Sequence, residues 1–128
     1  MVNFIPGILK QNIKVEIKEH LLNEIKAAEI VSDEILIHNT EDALDLIGNL
    51  YHQGFDLIII HEKNITHDFF DLKTKMAGDI LQKFTQYRMS LTVVGDFSKF
   101  TGKSLKDFIY ESNKGKQINF LSSLDQVL

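Results

Sequence analysis

At 128 residues the chain is long enough for one domain around one hydrophobic core and too short for two. Hydrophobic residues make up 44% and charged residues 25%, an ordinary globular balance that argues against disorder or low complexity. A formal net charge of −4 gives no global attraction to nucleic acid or an anionic membrane, and the lack of cysteine excludes disulfides, thiolate metal ligands and cysteine nucleophiles.

Residues 1–12 read as a loosely attached leader holding the only proline, Pro6, and residues 13–128 as one domain. The N-terminal stretch MVNFIPGILK has neither the charged region nor the cleavage site of a secretion signal. No apolar run approaches the ~20 residues of a membrane span. A cytoplasmic location is therefore expected. Ile13, Val15 and Ile17 alternate with Lys14, Glu16 and Lys18, the period of a strand with one buried face. His20 to Asn23 reads as a turn and Glu24 to Val31 as the second strand of a hairpin.

The period then becomes helical. Thr40 is expected to cap a helix opened by Glu41 and Asp42, carried by Ala43, Leu46, Ile47, Leu50 and Tyr51, and ended by Gly54. Phe55 to Ile60 is a short apolar run, as in a strand covered on both faces. Asp68 to Arg88 is expected to be the longest helix, with Phe69, Leu72, Met76, Ala77, Ile80, Phe84 and Tyr87 on one side. Leu91 to Gly95 is another strand, Ser104 to Asn113 a helix ended near Gly115, Gln117 to Leu121 a strand, and residues 124–128 a last helical turn. The order β-β-α-β-α-β-α-β specifies an α/β domain: a mixed, mostly parallel sheet with an N-terminal hairpin and helices packed on it.

Three strings, ALDLIGNLYHQGFDLIIIHEKNI, DFFDLKTKMAGDILQKFTQYR and VGDFSKFTGKSLKDFIYESNKGKQINF, resemble a bacterial family catalogued as domain of unknown function 4180. They cover roughly residues 42–120, and the resemblance implies no biochemical activity. The order of elements also resembles the STAS domain of anti-sigma-factor antagonists. That likeness implies a central helix whose face docks on a partner and whose first residue, a serine or threonine, is phosphorylated. Here the helix begins Asp68-Phe69-Phe70-Asp71 without serine, and Thr66 is the only nearby hydroxyl.

Asp68 and Asp71 read first as a cap and a capping-box partner, and second as a fixed negative recognition surface. Phe69 is expected in the core and Phe70 half exposed, where it could anchor a partner. Gly78 sits opposite the apolar stripe, among Asp71, Thr74, Lys75, Gln82 and Thr85. A glycine in an exposed helix costs ~1 kcal/mol against alanine, so either a second chain approaches closely or the position simply tolerates it.

His61, Glu62, His67 and Asp68 gather near a strand's carboxyl end, where α/β sheets bind ligands, and are weak candidates for a metal site. No HExxH-type spacing or glycine-rich nucleotide loop is present, so no metal or cofactor is expected. Asp96 and Ser98 follow the next strand, with a turn as the simpler reading. His20, His38 and His52 receive no role. Lys99, Lys103, Lys106, Lys114 and Lys116 make the last third locally basic, either a solvated face or a docking surface for an acidic partner. The leading expectation is a non-enzymatic, protein-binding or regulatory module, meeting a partner or its own copy through Phe70, Asp71, Thr74, Gly78 and Gln82, with Thr66 open to phosphorylation. The alternative is a small-molecule- or metal-dependent enzyme at the strand ends, using His61, Glu62, His67, Asp68 and Asp96.

Overall fold

Residues 14–127 are described by a computed structural model. The leader, Ile13 and Leu128 lie outside the described residues. Strands β1 (Glu16–Leu22) and β2 (Ile25–Val31) form the expected antiparallel hairpin, but its turn is two residues long rather than four. Asn23 and Glu24 both adopt positive φ, 50° and 74°, the backbone that matches strand twist in a two-residue hairpin. His20 is therefore a strand residue paired with Ala27 and not part of the turn.

Strands β3 (Leu57–His61), β4 (Ser90–Val94) and β5 (Ile118–Leu121) complete a sheet in sequential order, parallel from β2 onward. Each parallel neighbour is reached through one helix: α1 (Thr40–His52), α2 (Met76–Gln86) and α3 (Lys103–Asn113). Right-handed crossovers between consecutive strands put every helix on the same face. Ile58 and Ile60 accordingly join Leu46, Ile47, Leu50, Ile80 and Phe84 in the main core. Leu57 and Ile59, pointing the other way, form a small second cluster with Ala27 and Val94, against which Leu22, Leu124 and Val127 pack. The apolar run of β3 is thus buried on both sides, as expected, but among the described residues α1, α2 and α3 cover one side only. The C-terminal turn, Leu124–Gln126, is a 3-10 turn closed by a Ser123–Gln126 capping box.

Two helix starts differ from expectation. Asn39, not Thr40, caps α1, its Oδ1 accepting from the Asp42 N–H at 2.9 Å. More consequentially, the long helix expected from Asp68 begins only at Met76. Before it lie 3-10 turns at His67–Phe70 and Leu72–Thr74, then Lys75 with φ 64°. Adjacent α-helical side chains diverge by about 100°, yet Phe69 and Phe70 are both buried. The irregular backbone allows both to turn inward. The Thr74 hydroxyl, 2.7 Å from the Asp68 carbonyl and 2.9 Å from that of Asp71, holds the segment together. Asp68 is consequently no helix cap, whereas Asp71 caps the second turn by accepting from the Lys73 N–H at 3.2 Å.

Candidate functional site

The residues expected to meet at the strand ends are directed apart. His61 ends β3 on the side away from the helices, its Nε2 3.3 Å from Glu29 Oε2. The other Glu29 oxygen lies 3.0 Å from His20 Nε2, so one buried carboxylate links side chains of β1, β2 and β3. Burial works against its ionised form, but hydrogen bonds and charge from His20 and His61 outweigh burial and hold its carboxyl below the usual glutamate value. Glu62, the residue after His61, is buried and meets Lys99 Nζ at 2.6 Å. His67 is exposed, its ring perpendicular to that of Phe100 with centroids 6.1 Å apart, and Asp68 is exposed. Asp96 accepts from both the N–H and the hydroxyl of Ser98, bonds that hold its carboxyl below the ordinary aspartate value. The Asp96–Ser98 pair is a self-bonded turn. Among the described residues, no three His, Asp or Glu side chains form a group that could hold a metal ion.

What the carboxyl edge does offer is a groove of about 530 Å³ between the irregular segment before α2 and the loop leading into α3. Phe70 and Phe100 stack beneath it with centroids 4.7 Å apart and planes at 18°. Phe70 is 5% exposed, so it supports the groove instead of standing half exposed as the sequence suggested. Leu72 and Leu105 add apolar wall, and Lys73, Lys99 and Lys103 supply charge. With Asp71 the lining holds three lysines and one aspartate, but Lys99 is already paired with the buried Glu62 carboxylate, so the groove carries little net charge. Lys103 also pairs with Asp107 at 2.6 Å, an exposed contact of small energetic weight.

The other residues expected to bind a partner spread from the groove onto α2. Asp71 lines the groove, and Thr74 is exposed although its hydroxyl is engaged. Gly78 and Gln82, one helical turn apart, are exposed, and a Cβ at Gly78 would meet none of the described residues within 4 Å. Thr66 is partly buried at the entry to the first 3-10 turn, its N–H donating to the Ile37 carbonyl at 2.9 Å. Lys106, Lys114 and Lys116 are exposed, with Lys114 paired to Glu111.

Sequence reasoning missed Glu29, Asn64 and Gly95. Glu29 interrupts the apolar stretch Ala27-Ala28-Glu29-Ile30, and a charge in a buried strand is the signal that could have revealed it. Asn64 is wholly buried, its amide donating to the Ser32 and Glu34 carbonyls at 2.8 Å each, which ties the exit of β2 to that of β3. Gly95 is required by a neighbour distant in sequence, since a Cβ there would lie 2.5 Å from the Glu62 Cβ.

No curated protein and no solved structure matches the chain. Residues 22–128 match the family model described as a domain of unknown function, DUF4180, and the chain belongs to that family.

Proposed function

We propose that this chain is a cytoplasmic, non-enzymatic regulatory module that binds a protein partner through the groove at the start of the α2 segment and the exposed α2 face. The observation that carries this reading is the groove: an aromatic floor, lysines at the rim, and Asp71 leading toward Gly78 and Gln82. An apolar floor with a polar rim is the composition of a recognition surface. Gly78 adds support, because no contact among the described residues requires a glycine there. Binding acts by mass-action sequestration. Phosphate on Thr66 would add up to about two negative charges beside the segment and so alter occupancy.

Affinity capture with the intact chain, compared with Gly78→Arg, tests the reading. A partner retained by the wild type and lost by a variant of unchanged melting temperature is the expected result. Equal retention by both would remove the α2 face from the interface. Sedimentation of the wild type alone identifies the case in which the partner is a second copy.

A further inference from the structure

The segment before α2 carries two conflicting instructions. Phe69, Leu72, Met76 and Ile80 recur at helical spacing, and Asp68 and Asp71 stand where a cap and the third residue of a capping box would. The backbone instead makes 3-10 turns at His67–Phe70 and Leu72–Thr74 and passes through Lys75 at φ 64° before α2 begins. A lysine is rarely held in that left-handed region, and α2 starts there with no side-chain cap bond from Lys75. A 3-10 interruption of a helical pattern commonly marks a hinge or a sequence under strain.

Two features hold the observed arrangement. Phe70 is buried and stacks on Phe100 with centroids 4.7 Å apart. The Thr74 hydroxyl lies 2.7 Å from the Asp68 carbonyl and 2.9 Å from that of Asp71, and it accepts the Met76 N–H at 3.2 Å. In a helix a threonine hydroxyl reaches the carbonyl three or four residues back, so its bond to Asp68, six residues back, exists only in this arrangement. An unbroken helix would move the Lys75 N–H from the Leu72 carbonyl, now at 3.2 Å, to that of Asp71.

We propose that residues 68–75 form a two-state latch. The closed state is the one described; the open state is a helix running unbroken from an Asp68 cap into α2, with Lys75 at negative φ and Phe70 lifted off Phe100. Neighbouring side chains on a helix do not face each other, so the Phe69–Phe70 contact, now 4.9 Å between centroids, also parts. Burial of Phe70 and the Thr74 bonds keep the closed state in the majority, and the open one is a minor population of about 0.1–10%. Opening withdraws Phe70 from the groove lining and so regulates the groove. The latch is defined without a partner and goes beyond the protein-binding reading above.

Cα relaxation-dispersion NMR on the full chain tests this, because it resolves minor states that exchange in microseconds to milliseconds. Exchange should be confined to residues 67–76 and the surroundings of Phe100, with minor-state shifts displaced in the helical direction across residues 69–75. Lys75→Gly, at ease at positive φ and poor in helices, should lower the minor population about fivefold or more. Thr74→Ala, which deletes the hydroxyl and favours helix, should raise it about tenfold. Thr74→Ser keeps the hydroxyl and should leave it within about twofold of the wild type. Minor-state shifts typical of coil would mean local unfolding and overturn the proposal. So would changes of the same sign in Lys75→Gly and Thr74→Ala, or no exchange in either the wild type or Thr74→Ala. Exchange in a chain that captures no partner would remove the protein-binding reading alone, and a captured partner without exchange would remove the latch alone.

Discussion

Glu29 shows how much one side chain can link. It sits in the middle of β2, reaches His20 on one neighbouring strand and His61 on the other, and so ties the hairpin to the parallel part of the sheet. Because its folded pKa is lowered, its ionised form favours the folded state: the contribution is present above the unfolded glutamate value and is lost as pH falls through the folded one. Denaturant titrations from pH 7 to 3 should therefore show the wild type losing stability below about pH 4.5 more steeply than Glu29→Gln. At pH 7 the variant should be less stable by about 1–3 kcal/mol, since its amide keeps one acceptor oxygen but turns an NH2 donor toward the other imidazole and loses the charge that strengthens both contacts. Parallel pH profiles for the two proteins would mean that the cluster contributes no proton linkage.

At the scale of the element, α2 is shorter than the apolar spacing suggests, and its exposed face can be changed without touching the core. Gly78 lies in the helix without positive φ and with open space at its Cβ position. Gly78→Ala should accordingly raise stability by about 0.5–1 kcal/mol, mainly by restricting the unfolded chain. Thermal unfolding checks this, and an unchanged or lowered melting temperature would show that the site is more constrained than its surroundings indicate. The periodicity from Phe69 to Tyr87 was real, but its first part is carried by 3-10 turns. Helical spacing marks which residues are buried, not which hydrogen-bonding pattern buries them. The doublet Phe69-Phe70 was the legible warning, because both rings belong to the core.

For the whole molecule, the sequential strand order leaves β1 and β5 at the sheet margins. An edge strand exposes unpaired backbone groups that invite another chain. At β5 this is countered by Asn113, the last residue of α3. Its amide nitrogen donates to the Phe120 carbonyl at 2.9 Å, and its Oδ1 accepts from the Phe120 N–H at 2.7 Å. Asn113→Ala should cost about 1–2 kcal/mol for the two lost bonds and increase self-association on heating. Denaturant unfolding with light scattering measures both, and an unchanged variant would show that solvent satisfies Phe120 equally well.

The sequence by itself determined the α/β class, the order of strands and helices, the hairpin and nearly all core positions, because burial periodicity and turn residues are local signals. It also marked Phe70, Asp71, Gly78 and the lysines of the last third. Only the tertiary structure decided which polar groups meet. His61 and Glu62 are adjacent in the chain, yet one faces Glu29 across the sheet and the other faces Lys99, because successive residues leaving a strand point to opposite sides. The Gly95–Glu62 contact and the stacking of Phe70 on Phe100 join segments about 30 residues apart. Such contacts are set by strand register and crossover geometry, which no local spacing encodes.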